Sequence, residues 1–255
     1  MSKQIIINGQ LISYLETTGG ASDFTMLFLH GWRSQKEIWI PVIQKLVSEN
    51  SRGSVVALDL PGFGSSPAPK RPWEVGDYAE CVKQFIEKLE LQNIYLVGHS
   101  FGGRIGIKLA AQHGEIIKKL VLVDSAGLVV NAWKKTLMAL AAKMFKPFFK
   151  PPFMQSFRQK IYKKIGGEDY IATPELQATL AKVVSEDLSA DMKNIHIPAL
   201  IIWGDRDTDT PVEFGQRMNF LIHNSKFIIL SNSGHYSFLD KPKEFMEEFL
   251  PFISA

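Results

Sequence analysis

Ser100 stands in Gly98-His99-Ser100-Phe101-Gly102, with a glycine two residues to either side. A serine hydroxyl attacks a carbonyl carbon only when a base takes its proton and a carboxylate holds that base in the accepting tautomer. His235 and Asp207 are the residues placed to complete such a relay. His235 follows the apolar run Phe227-Ile228-Ile229-Leu230 through Ser231-Asn232-Ser233-Gly234. Asp207 closes Gly204-Asp205-Arg206-Asp207, directly after Ala199-Leu200-Ile201-Ile202-Trp203, and Pro211 opens a helix behind it. Asp205 and Asp209 crowd Asp207, and Asp124, at the end of another apolar run, is the reserve for the acid. The spacing of Gly204, Asp207 and Pro211 favours Asp207.

Five other histidines compete for the role of base. His99 precedes the nucleophile on a strand, where alternation turns it away from Ser100's side and assigns it to packing. His30 ends a strand before Gly31 and is expected to fix the turn there. His113 closes a helix, where a capping role suffices. His196 and His223 lie in polar turns with no partner pattern. Cys81 belongs with Tyr78, Val82, Phe85, Ile86 and Leu89 to the buried stripe of an amphipathic helix, so its thiol reads as core. No metal-binding spacing is present, and no cofactor is expected. Gly62-Phe63-Gly64 imitates the start of a phosphate loop, but Pro67 replaces its third glycine, so a turn after a strand is expected there.

The elements that must position these residues are legible as apolar runs. Strands are expected near 4–8, 11–15, 25–29, 54–58, 94–98, 119–123, 199–203 and 226–230, the first two joined at Asn8-Gly9 by a hairpin turn. Helices are expected near 35–48, 75–90, 101–112, 211–222 and 242–253, with Ser34 and Glu37 forming a capping box for the first. Alternation of this kind makes an α/β fold, a mostly parallel sheet flanked by helices. Ser100 would then sit at the apex of a strand-to-helix turn that only glycine-sized neighbours permit.

These stretches resemble the serine-nucleophile branch of the α/β-hydrolase superfamily, the esterases, haloperoxidase-like perhydrolases and carbon–carbon bond hydrolases. The matching segments are His30-Gly31-Trp32, Asp59 to Ser66, Gly98 to Gly103, Gly204 to Pro211, and Gly234-His235 with Asp240-Lys241-Pro242 behind it. The resemblance implies an eight-stranded, mostly parallel sheet with a helical cap inserted after the sixth strand: a core of residues 1–127 and 191–255, and a cap of 128–190, within which Ala132 to Phe145 and Pro174 to Leu188 have helical composition and spacing. It also implies the order Ser, Asp, His for the triad, and an oxyanion hole made by the backbone N–H groups of Trp32 and Phe101. The chain departs from haloalkane dehalogenases and epoxide hydrolases, which carry aspartate where Ser100 stands. The implied activity is hydrolysis of a carboxylic ester or related acyl compound through an acyl-enzyme. Carbon–carbon hydrolysis, lactone opening, thioester cleavage and perhydrolysis share the apparatus. A ligand-binding or membrane-surface protein that keeps the triad without turnover is the alternative of a different class.

The chain has 255 residues, 45% of them apolar, enough for a sizeable core, and its single cysteine excludes an internal disulfide. No stretch reads as a membrane span or a secretory signal, which sets a cytoplasmic expectation. The formal net charge is +3, yet 128–167 holds nine of the 29 basic residues and none of the 26 acidic ones. A solvated face is the plain reading of that segment, contact with an anionic lipid surface the next, and nucleic acid is not expected. The same region carries Trp133, Phe149 and Phe153, which with Tyr236 are candidates to line an apolar substrate pocket. Arg104, on the helix after Ser100, is expected to form a salt bridge to the body, with a substrate carboxylate as its less favoured partner. Oligomeric state is left open.

Overall fold

The structure, a computed structural model, describes residues 2–17, 24–49, 53–129 and 173–254. The apolar runs form β1 (Ser2–Ile7), β2 (Gln10–Thr17), β3 (Thr25–Leu29), β4 (Ser54–Leu58), β5 (Ile94–His99), β6 (Ile117–Val123), β7 (Ala199–Gly204) and β8 (Ser225–Leu230). They make one sheet in the order β1-β2-β4-β3-β5-β6-β7-β8. β2 pairs antiparallel with β1 and β4, while β3 to β8 run parallel to one another. Asn8 (φ 46°) and Gly9 (φ 82°) turn the hairpin with two positive φ values, as the Asn-Gly pair predicts.

Helices follow as α1 (Ile40–Ser48), α2 (Val75–Lys88), α3 (Phe101–Gln112), α4 (Gln177–Ser185), α5 (Ser189–Lys193), α6 (Val212–Leu221), α7 (Ser237–Asp240) and α8 (Pro242–Ser254). The two-residue period of the strands divides the core between two faces. Leu27, Leu29, Leu96, Ile201 and Trp203 face α2, α3 and α6. Met26, Phe28, Val97, Leu200 and Ile202 face α1 and α8 through Trp39, Leu46, Phe245 and Phe249. Both layers are built of buried apolar side chains, and they cover the sheet on its two faces.

The capping box expected at Ser34 and Glu37 does not form. A short 3-10 turn, Lys36–Trp39, precedes α1, and its cap residue is Gln35, without a side-chain bond. The carboxylate of Asp59 takes the Lys36 N–H at 2.8 Å and the Lys36 ammonium at 2.7 Å. A residue remote in sequence therefore satisfies the donor that a local cap would have taken.

Of the expected cap, 130–172 lies outside the described residues, and with it the helix expected from Ala132 to Phe145. The expected helix from Pro174 to Leu188 appears as a 3-10 turn, Pro174–Leu176, and α4. α4 is tied to the body where Trp73 N–H donates to Thr179 Oγ1 at 3.1 Å and Lys182 pairs with Glu74 at 2.7 Å. The expected boundary at 190/191 falls inside α5, which packs on α3 and α6.

Candidate active site

Among the described residues, the C-terminal edge of the sheet carries Ser100, Asp207 and His235, which follow β5, β7 and β8. The chain crosses from β3 to β4 on one side and to β5 on the other, which makes β3/β5 a switch point with an open crevice above it. Ser100 follows β5 with φ 50° and ψ −110°, a conformation strained for a residue with a Cβ. The turn closes so tightly that a Cβ at Gly98 would lie 2.5 Å from the Gly102 carbonyl oxygen, and one at Gly102 2.3 Å from that of Leu29. Ser100 N–H donates to Val123 O at 3.1 Å, and its own carbonyl accepts from Ala126 N–H at 3.1 Å, so the apex is braced from β6 and beyond.

Ser100, His235 and Asp207 form one hydrogen-bonded chain. Ser100 Oγ lies 3.0 Å from His235 Nε2, and His235 Nδ1 lies 2.8 Å from Asp207 Oδ2. An ionised carboxylate only accepts, so the proton sits on Nδ1 and Nε2 is left to accept a hydrogen bond from the Ser100 hydroxyl. Asp207 is itself over-determined: Oδ1 accepts the N–H groups of Asp209 (2.8 Å) and Thr210 (3.0 Å), and Oδ2 accepts the Thr210 hydroxyl at 2.7 Å. Burial pushes the Asp207 carboxyl pKa up, but the bonds and charge of His235 and the Thr210 donors outweigh it and hold the pKa below the usual value. Burial likewise pulls His235 down, and the Asp207 carboxylate overcomes it, leaving the imidazole above its ordinary 6.5. Thr210 was not foreseen, although a threonine three residues after an aspartate is the spacing of a side-chain-closed turn.

Asp124, the reserve acid, makes no bond to His235. Its Oδ1 accepts Gly204 N–H at 2.8 Å and its Oδ2 accepts Ser237 N–H at 2.9 Å, so it fastens the ends of β6, β7 and the start of α7 together. Burial pushes its pKa up to about 6 against the pull of those donors. Cys81 is buried on α2, and burial raises its thiol to about 12, which keeps it out of the chemistry.

His30-Gly31-Trp32 lies against Ser100, since a Cβ on Gly31 would stand 3.3 Å from Ser100 Cβ. Leu60 N–H donates to His30 Nε2 at 3.0 Å, so Nδ1 carries the proton and donates to Gly31 O at 2.7 Å. Burial lowers the His30 pKa to about 4, which fixes it as a neutral brace of this turn. The Trp32 indole meets the Phe101 ring edge-on, with ring centroids 5.1 Å apart, and both residues line the cavity beside Ser100. Phe101 opens α3, so its N–H is among the unsatisfied donors at the positive end of the helix.

His99 departs from expectation. Rather than turning away, it lies beside His235, with ring centroids 4.9 Å apart, and its Nε2–H donates to the His235 carbonyl at 2.7 Å. Alternation along β5 stops being a guide where the backbone reverses at Ser100. Burial, and then the charge of His235, drive the His99 pKa down to about 3, so it holds the His235 loop while staying neutral.

A cavity of about 610 Å³ opens over Ser100. Tyr236, expected from the sequence, lines it, and so do Trp32 and Phe101. Leu180, Val183 and Val184 of α4 supply an apolar wall at helical spacing, and Arg104 reaches it from α3. Trp133, Phe149 and Phe153 lie outside the described residues. Among the described residues, no group of three His, Cys, Asp or Glu side chains could hold a metal ion, and no helix is long and apolar enough to cross a membrane.

The sequence profile of the alpha/beta hydrolase fold matches residues 25–170. The chain belongs to the α/β-hydrolase family of enzymes. It is 28% identical to the AB hydrolase superfamily protein YisY of Bacillus subtilis over 242 residues, 86% of this chain and 87% of that protein. To the pimeloyl-[acyl-carrier protein] methyl ester esterase of Nitrosomonas europaea it is 26% identical over 255 residues, 92% of this chain and 97% of the relative. Among solved structures, a bacterial membrane phospholipase A superposes with a TM-score of 0.79 at 26% identity, over 100% of this chain and 86% of that one.

Proposed function

We propose that this chain is a serine hydrolase that cleaves a carboxylic ester or related acyl compound through an acyl-enzyme. The observation that carries the reading is the unbroken path from Ser100 Oγ through His235 to Asp207 at the floor of a cavity. Ser100 Oγ adds to the acyl carbon as its proton passes to His235 Nε2, and the carbonyl oxygen becomes an oxyanion held by the N–H groups of Trp32 and Phe101. Collapse expels the alcohol, which takes the proton from Nε2. Water then gives a proton to Nε2 and attacks the acyl carbon, and Ser100 departs with that proton while the acid leaves. Asp207 stays ionised throughout and stabilises the imidazolium. The methyl ester esterase named above supports an ester among the substrates that share this apparatus.

Activated p-nitrophenyl esters of increasing acyl length test the reading. The expected result is turnover with a preferred chain length, and a burst of nitrophenol matching the enzyme concentration where deacylation is slow. A protein that binds acyl ligands without chemistry gives neither, and that outcome refutes the proposal. The basic segment 128–167 suggests, from its composition, that the substrate is met at an anionic lipid surface. Addition of anionic vesicles to the same assay should raise the rate, and a flat response removes that element.

A further inference from the structure

Arg104 is a buried charge that the relay does not use. It lies one helical turn after Ser100 on α3, so its Cβ sits on the same side of the helix and leans back toward the helix start. The side chain is only 4% exposed, yet it lines the cavity. Nη1 donates to the carbonyl of Glu186 at 2.7 Å, and among the described residues no other hydrogen bond and no carboxylate contact engages the guanidinium. The expected salt bridge to the body is thus absent among the described residues. The neighbouring acids are committed elsewhere: Glu186 pairs with Lys108 at 2.8 Å, and Asp187 accepts the N–H groups of Val129 and Ser189. The remaining guanidinium nitrogens are not among the buried polar atoms sealed without a partner, which leaves their approach from the cavity open.

A cation taken out of water with one neutral acceptor and, among the described residues, no carboxylate in contact is costly to keep unless a ligand completes it. Burial lowers the Arg104 pKa to about 10, against the attraction of Glu186 and Asp187, so the group is still fully charged near neutral pH. Its planar fork matches a carboxylate, and a single positive charge balances a single negative one. Leu180 and Val183, which line the same cavity as Arg104, are apolar and suit a short methylene chain.

We propose that Arg104 is a specificity-determining residue that binds a carboxylate on the substrate, so that the preferred acyl compounds are short-chain half-esters of dicarboxylic acids. This rests on the ester-hydrolase reading of the same site.

The test compares p-nitrophenyl pentanoate with mono-p-nitrophenyl glutarate, acyl groups of equal length that end in methyl and in carboxylate. The expected result is a kcat/KM at least tenfold higher for the glutarate, the size of a charge-assisted bond. Arg104→Met should collapse that ratio to near one, mainly through the KM of the glutarate, and Arg104→Lys should keep part of it. The pentanoate arm reports damage common to both substrates, such as loss of the Glu186 tether. No preference in the wild-type enzyme, or an equal loss on both esters in Arg104→Met, overturns the proposal. If Arg104→Met does not fold, Arg104→Lys carries the comparison, and an unchanged ratio there counts against bidentate binding. If neither ester is turned over, the hydrolase reading fails by itself. Calorimetric titration of Ser100→Ala with monomethyl glutarate then decides the anion site: binding weakened at least tenfold by adding Arg104→Lys supports it, and absent or unchanged binding overturns it.

Discussion

Ser100→Ala is expected to lower kcat on an activated ester by about a millionfold, the scale on which removing the nucleophile of an integrated triad acts. The loss is of chemistry and not of folding. The methyl of alanine fits the apex, and the backbone bonds that hold the turn, from Ser100 N–H to Val123 O and from Ala126 N–H to Ser100 O, do not involve the hydroxyl. Substrate affinity should therefore change little, and circular dichroism and thermal melting should match the wild type. Steady-state kinetics on freshly purified variant checks the size of the effect. A variant retaining more than about one part in a hundred of the activity would place the nucleophile elsewhere.

Asp207→Asn is expected to lower kcat by about ten thousandfold, with the imidazole still in place. The carboxamide can offer an N–H where the carboxylate offered a lone pair, and Nδ1 then accepts. The proton moves to Nε2, which can no longer receive the one on Ser100. The pH profile adds a second reading. His235 must be neutral to act as base, and because its folded pKa is raised, the acid limb of kcat/KM in the wild-type enzyme should have its midpoint above 6.5. Activity is present above that midpoint and falls as pH drops through it. Loss of the Asp207 charge removes the cause of the shift, so the residual limb should move to lower pH. Asp124→Asn touches no atom of the relay and should weaken the fold more than the rate. A profile moved by Asp124→Asn and not by Asp207→Asn would exchange the two roles.

The strands and the nucleophile turn were legible because each answers to a local rule. Leu200, Ile201 and Ile202 are apolar without interruption because β7 is buried on both faces. Gly98 and Gly102 mark the elbow because neighbouring backbone leaves no room for a Cβ. The acid was legible only as a choice, since four aspartates end strands or turns nearby, and what selects Asp207 is the ring of donors from Asp209, Thr210 and His235. What escaped the sequence is a class of bonds between segments far apart in the chain: Asp59 on Lys36 in place of a local cap, His99 on the His235 carbonyl, and α5 joining the expected cap to the body. Such bonds have no period. α7, four residues long, is likewise too short to carry a helical pattern and is held by Asp124 from another strand.

The central claim is that the hydroxyl at 100 is activated by the imidazole at 235. Intact and peptide mass spectrometry after brief exposure to a fluorophosphonate reads that activation directly, because an ordinary serine does not react. The account predicts one adduct per chain, mapped to Ser100, and absent from both Ser100→Ala and His235→Ala. An unmodified Ser100 in folded wild-type protein, or labelling that persists in His235→Ala, would contradict it.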